Sequence, residues 1–531
     1  MSGGRGAAAG WGTGENGNGA SAGAGGGGNL TPDGRLRTGK LANLSMWGAI
    51  FVLSWPIMVE SLLNSLVGLT DTYLSAQLSA SATDAIGGAS YIMWFVGLIA
   101  MALGIGATAI VSRAIGAGRT GVANGATGQT MLLSFFGGLV AAGMVLGLAN
   151  PLARLLSLSP AGYEAFVVYM RIVALGTPAM TMMGAAIACA RGAGDSLRPL
   201  QAVVIVNIVN AMLSFLLAGV DLKVTHIVDG AAVSRVILEN PLGLNWGIAG
   251  IAWGTVVGEY VGLAVVLWML STGVSGVRLK RRWLRPHRAT LGRLVRVGIP
   301  SFLETLGMWA GNFLVIIIVG WLAMSGAAGV TADGGGLMGA HIVAIRIESF
   351  SYLPGFAMGT AAATLVGQYL GAGSPRLARR AVARCTVITA GAMGLLGLCL
   401  CVFSVTITGL VTSQPAHLEV VPKLLFITGL VQVPFGVGII LRSALRGAGD
   451  AKAVMYITWV CTYAVRLPLV YLLSGVDVPV PAALGGGVIA HPIFEQGSLP
   501  LLWAAMCIEI VVRGAAFGWR FLHGGWMRVR V

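Results

Sequence analysis

The chain has 531 residues, of which 56% are hydrophobic and 10% charged, and its mean hydropathy is +0.83. Soluble domains carry about 25% charged residues, so this composition excludes an ordinary soluble enzyme, a secreted disulfide scaffold and a nucleic-acid-binding domain. The formal net charge of +15 therefore needs another explanation, which the placement of the basic residues supplies.

Residues 1–44 are rich in Gly, Ala, Asn and Ser. Such a stretch buries too little apolar surface to offset its ordering entropy. It is predicted to be a disordered cytoplasmic tail, and it lacks the apolar core of a signal peptide. From Met46 onward, twelve apolar segments are long enough to cross a bilayer of about 30 Å, centred near residues 58, 98, 135, 178, 209, 258, 308, 352, 394, 434, 463 and 511. We number them spans 1 to 12. Only helices or closed barrels satisfy their own backbone in lipid, and these runs are too long for barrel strands. The expected fold is an all-α polytopic membrane protein. Residues 45–275 would form an N-lobe of six spans, 276–296 a basic cytoplasmic linker, and 297–531 a C-lobe of six spans.

With the N-terminus inside, 27 of the 34 basic residues fall on the cytoplasmic side. This asymmetry predicts both termini in the cytoplasm of a cell-membrane protein. It accounts for the net charge without nucleic acid. Within the spans, sequence reading leaves Arg171, Arg346 and Arg466. The six cysteines all lie in apolar segments without CxxC spacing, which reads as small buried hydrophobes and neither a metal site nor a disulfide.

The second half repeats the first. Arg191-Gly192-Ala193-Gly194-Asp195 recurs as Arg446-Gly447-Ala448-Gly449-Asp450, and Ile115-Gly116-Ala117-Gly118 as Leu370-Gly371-Ala372-Gly373. Pro56 followed by Glu60 recurs as Pro300 followed by Glu304. With an even number of spans, both halves enter from the same side. They should be related by a pseudo-twofold axis along the membrane normal, and such a pair encloses a chamber that rocking exposes to each side in turn. No Walker A motif is present, so ATP hydrolysis is not the expected drive.

Charged groups within spans are functional candidates by default, because each costs about 2.5–3.5 kcal/mol at mid-bilayer on insertion scales. In span 1, Asn64 and Asp71 lie about 40° and 20° around the helix from Glu60, so the three share one stripe. Pro56 and Pro300 are the expected bends. Asn207, Asn210 and Ser214 line span 5. Span 8 offers His341, Glu348 and Tyr352 on one side, with Glu348 and His341 a possible proton-accepting pair. Arg346 lies on the other side and should pair with another helix. The two Arg-Gly-Ala-Gly-Asp turns place Arg191, Asp195, Arg446 and Asp450 at the inner ends, as turn and cap chemistry or as gate salt bridges. Two insertions, 220–245 and 475–498, fall on the outer side; the first contains His226 and Asp229.

The ordered set of motifs resembles the multidrug and toxic compound extrusion (MATE) family. It comprises Trp55-Pro56 leading to Asp71-Thr72, Ala109 to Gly118, both Arg-Gly-Ala-Gly-Asp turns, Asn207 with Asn210, and Pro354 to Gly373. The resemblance runs from about Met46 to Arg520. It implies an antiporter, not an enzyme, that exports organic, often cationic, compounds by alternating access between two six-helix lobes. Protons or sodium ions would drive it, with no resident cofactor or metal, and a monomer in lipid is expected. The resemblance makes Asp71 the coupling acid of the N-lobe, while Ser214 stands where similar proteins carry an aspartate. Glu304 precedes by one turn the position, here Met308, where many relatives place a coupling glutamate. Glu60 and Glu348 complete the candidate coupling acids. The alternative is a flippase for a lipid-linked saccharide precursor from the same broad superfamily, which would favour a strongly cationic chamber.

Overall fold

The computed structural model describes residues 29–156, 159–228, 231–324, 336–479, 487–491 and 497–529. Span 1 is Met46–Leu78, span 2 Ala80–Gly116, span 3 Thr120–Leu155, span 4 Pro160–Gly192, span 5 Leu197–Ala218 and span 6 Ile248–Thr272. Span 7 is Arg288–Met324. Span 8 is built from two helices, Leu337–Ser351 and Leu353–Gly371, that meet at Tyr352. Span 9 is Pro375–Val402. Span 10 joins Pro415–Leu430 to Gln432–Gly447 with a 56° bend. Span 11 runs from Ala451 to Ser474, and span 12 is Leu499–His523.

Serines start several of these helices. Ser45, Ser79, Ser159, Ser374 and Ser498 each accept a hydrogen bond from a backbone N–H in the first turn, which satisfies one of the donors every helix start leaves free. Pro56 and Pro300 sit inside unbroken helices. The interruptions fall instead at Tyr352, at Val431 and in span 11, where Val460–Arg466 winds as a π-helix.

Spans 1–6 pack on one another around two apolar cores, one centred on Ala107, Val111 and Cys189, the other on Phe166, Met170 and Ile251. Spans 7–12 do the same around Val319, Leu424 and Trp503. The chain is thus two six-helix lobes. They meet at the end of the bundle that carries the Arg-Gly-Ala-Gly-Asp turns, which we call the basic end. There the repeat becomes a contact. A Cβ on Gly116 would collide with the Gln368 backbone, and a Cβ on Gly371 with the Arg113 backbone. Each residue lies 255 positions from its counterpart, so the two collisions are mates across the pseudo-twofold axis, as in a C2 interface. Gly367 packs on the Ser112 hydroxyl at the same crossing. Gln368 Nε2 donates to the Gly192 carbonyl at 3.0 Å, and Thr364 Oγ1 to the Arg191 carbonyl at 3.3 Å.

Two findings differ from the sequence reading. Residues 29–44, assigned above to the unstructured tail, fold back under the basic end; residues 1–28 lie outside the described set. Leu36 and Leu41 are 2% and 1% exposed and join the core formed by Leu365, Val366 and Tyr369 of span 8. Composition misled here because two leucines suffice to anchor a Gly-rich strap when a ready-made apolar groove receives them. The first outer insertion, in turn, forms an antiparallel hairpin, Leu222–Val228 with Ala231–Leu238. The second holds two short paired strands, Val478–Pro479 and Val488–Ile489. Asp229 lies outside the described residues.

Candidate functional site: a free-acid pocket and an arginine network

In the N-lobe, spans 1, 4, 5 and 6 bring together Asp71, Tyr169, Asn210, Ser214, Thr255 and Glu259. Asp71 is 9% exposed, and its Oδ1 has no hydrogen-bond partner. Tyr169, 6% exposed, lies within electrostatic reach of Asp71 and hydrogen-bonds Thr255. Asn210 Nδ2 donates to Thr255 Oγ1 at 3.0 Å, while its own Oδ1 is buried without a partner. Thr255 Oγ1 and Ser214 Oγ both donate to the Ile251 carbonyl, at 3.2 and 3.3 Å. Nearby on the same two helices, Asn207 Nδ2 and Glu259 Oε2 are also buried and unpartnered. Buried polar atoms are nearly always satisfied. Two carboxylates and two amides of this lobe thus carry unmet polar capacity among the described residues.

Glu259 was legible by the criterion that selected Asp71, since it is a lone carboxylate amid the apolar run of span 6. It stands one helical turn from Thr255. Asn64 is exposed, so the stripe predicted through Glu60, Asn64 and Asp71 is not buried along its length.

Of the other candidate acids, Glu60 and Glu304 are held by cations. Glu60 pairs with Arg191 and Glu304 with Arg446. These pairs are repeat mates, each tying the Pro-x-x-x-Glu helix to the helix that ends in Arg-Gly-Ala-Gly-Asp. Glu304 also accepts from Arg442 Nε at 2.7 Å, Arg446 Nε at 2.9 Å and Thr458 Oγ1 at 3.0 Å. A fully buried carboxylate with all its acceptor capacity taken ties the helices around it, in contrast to the unpartnered Oδ1 of Asp71. Glu348 accepts from Thr428 at 2.8 Å, and His341 Nδ1 accepts from Trp503 Nε1 at 2.9 Å. The proposed Glu348–His341 pair is thus divided between separate partners. Tyr352 stacks edge-on against Phe356 and Phe435.

Arg466, brought inward by the π-turn of span 11, donates from Nε and Nη2 to Glu509 at 3.0 and 2.8 Å, and from Nη1 to Asn312 at 2.5 Å. Arg346 is exposed and makes no salt bridge among the described residues, against the expectation of a partner helix. Arg442, Arg446 and Arg513, counted above with the cytoplasmic loops, lie on helices inside the C-lobe. The interior of that lobe is therefore richer in arginine than the sequence reading allowed.

At the basic end, Asp195 caps span 5 through Arg198 N and binds Arg198 Nη1 at 2.7 Å. Asp450 binds Arg520 at 2.7 Å. Burial pushes the Asp450 carboxyl up from its usual value, and the Arg520 guanidinium opposes that rise. Both aspartates tie elements within one lobe and neither bridges the lobes.

Two lobes of six helices, related by an internal repeat and meeting at one end, define a membrane transporter. The MatE family model matches residues 56–216 and 300–472, so the chain belongs to the MatE family and is a MATE transporter. The probable multidrug resistance protein NorM of Thermotoga maritima is 23% identical over 480 residues, covering 89% of this chain and 92% of that protein. The multidrug resistance protein PmpM of Pseudomonas aeruginosa is 23% identical over 431 residues, covering 81% and 84%. Among solved structures, a MOP superfamily transporter from Pyrococcus furiosus, described as having a binding pocket of reverse polarity that suggests a different function, superposes with a TM-score of 0.75 at 20% identity. It covers 91% of this chain and 97% of that one. An outward-facing multidrug resistance MATE transporter of the MOP superfamily superposes at 0.73 with 18% identity, covering 92% and 98%.

Proposed function

We propose that this protein is a cation-coupled antiporter that exports organic compounds, and that the N-lobe pocket of Asp71, Tyr169, Asn210, Thr255 and Glu259 binds the driving proton or sodium ion. The observation that carries this reading is the unmet oxygen of Asp71 beside the unmet groups of Asn210 and Glu259, set against C-lobe acids already bound by arginine or threonine. The names of the multidrug relatives support organic cargo. The charge asymmetry of the loops supports a cytoplasmic basic end and holds when Arg442, Arg446 and Arg513 are set aside. With the basic end cytoplasmic, the glycine crossing of spans 2 and 8 closes the inner side, and the chamber opens outward.

The ion then loads the N-lobe acids from outside, the lobes rock about the crossing, and cargo enters from the cytoplasm. Uptake of an ethidium-like dye added outside everted membrane vesicles tests this under imposed proton or sodium gradients. Transport lost in Asp71→Asn and retained in Glu348→Gln supports N-lobe coupling. Full transport in an Asp71→Asn, Glu259→Gln double variant refutes it. Arg446 and Arg466, occupied by Glu304 and Glu509, are not free to face the pyrophosphate that the flippase alternative requires.

A further inference from the structure

The repeat provides one arginine–glutamate tie per lobe, Arg191 with Glu60 and Arg446 with Glu304. The C-lobe departs from it. Arg442 stands where the N-lobe, 255 residues earlier, has Ile187, and span 12 adds Arg513. Within the lobe, Glu304 serves both Arg442 and Arg446, and Glu509 serves both Arg466 and Arg513. Two carboxylates thus face four guanidinium groups. Glu348, a further acid of this interior, accepts from Thr428 and forms no salt bridge among the described residues.

The surplus converges on one place. A cavity of 30 Å³ between spans 10 and 12 is lined by Arg442 and Arg513, with Phe435, Ile439, Ile510 and Phe517 as its apolar walls. Gly438 and Gly514 bring the two helices close there. Arg513 Nε lies 3.2 Å from Glu509 Oε1 yet makes no hydrogen bond among the described residues, and Arg442 commits only its Nε, to Glu304. Guanidinium groups have five donors and do not deprotonate in proteins, so unspent N–H groups with uncompensated charge line a niche in a low-dielectric interior. Water can occupy such a volume, but water leaves the charge unbalanced, and an unpaired buried charge is strongly destabilising.

We propose that this niche binds a single small inorganic anion, a halide, between Arg442 and Arg513. The ion balances the arginine surplus and ties span 10 to span 12. The proposal concerns binding and does not depend on the coupling mechanism above.

The test uses the full chain in lipid nanodiscs, exchanged into sodium gluconate and titrated with sodium chloride or bromide at constant ionic strength. A saturable rise in Tm with either halide, lost in Arg513→Gln and weakened in Arg513→Lys, is the expected result. A Tm indifferent to halide, a response unchanged in both Arg442→Gln and Arg513→Gln, or a response to acetate with none to chloride overturns the proposal. Should Arg513→Gln fail to fold, crystals of the unsubstituted protein grown in bromide decide the matter. Anomalous density between the two guanidinium groups supports the site, and its absence there overturns it.

Discussion

Replacing Leu36 and Leu41 together by alanine should open the basic end. The strap that carries them touches both lobes. Asn29 Nδ2 donates to the carbonyls of Ile115 and Gly116 at 3.3 and 3.0 Å, and Leu41 lies against Gly194, all in the N-lobe. Gly34 packs on Leu377 of the C-lobe. Parting the lobes at this end must strip the strap from one of them. Leu→Ala at a buried site costs about 2–5 kcal/mol. A strap at the edge of a bundle collapses more easily than a core, so the low end applies, about 2 kcal/mol per leucine and about 4 kcal/mol for the pair. That is close to a thousandfold in the equilibrium between closed and open basic ends. Spin labels at Arg119 and Arg376, exposed positions just beyond spans 2 and 8, report the separation by double electron–electron resonance. The double variant should move the population toward longer distances, with the helical content unchanged. A distance distribution identical to that of the parent refutes the role given to the strap.

Three further outcomes follow from the packing and the polar pockets. Gly371→Val drives a side chain into the Arg113 backbone, so the same pair of labels should report an open basic end even with the strap intact. Glu304→Gln leaves two buried arginines facing a neutral group and should lower stability by about 3–5 kcal/mol, measured as a fall in Tm. Glu60→Gln, whose pair is 11% and 17% exposed at the side chains, should lower it less; an equal or larger fall contradicts the assignment of Glu304 as the deeper tie. Asp71→Asn removes a carboxylate that nothing pairs, so Tm should hold or rise while dye efflux is lost, and a fall as large as that of Glu304→Gln marks Asp71 as structural.

The twelve spans were legible because bilayer thickness and backbone satisfaction leave few alternatives to a long apolar helix. The repeat was legible because glycine and arginine at fixed offsets are hard to produce by chance. What the glycines do was not legible. Gly116 and Gly371 read only as members of a repeated motif, yet their lack of a side chain is what lets two backbones cross. Charge was misread for a related reason. Arg442 and Arg446 lie near the end of a hydropathy peak, where a window assigns them to the loop. Only their partners on span 7, Glu304 and Thr305, reveal that the helix turns both inward. Arg513, well inside span 12, was counted with the C-terminal end, and Glu509 and Glu259 disappeared into windows whose averages stay apolar.

Duplicated halves begin with identical duties, so departures from the repeat locate what each lobe does alone. The shared Arg–Glu tie and the shared glycine crossing belong to the scaffold, because both halves keep them. The N-lobe departs by leaving carboxylates and amides unmet, with Asp71, Asn210 and Glu259 available to a cation. The C-lobe departs in the opposite sense, adding Arg442 and Arg513 beyond what its carboxylates balance. Under the proposed coupling, a cationic cargo drawn to the N-lobe acids competes with the driving ion, and competition of that kind is sufficient for antiport, since it needs no simultaneous binding.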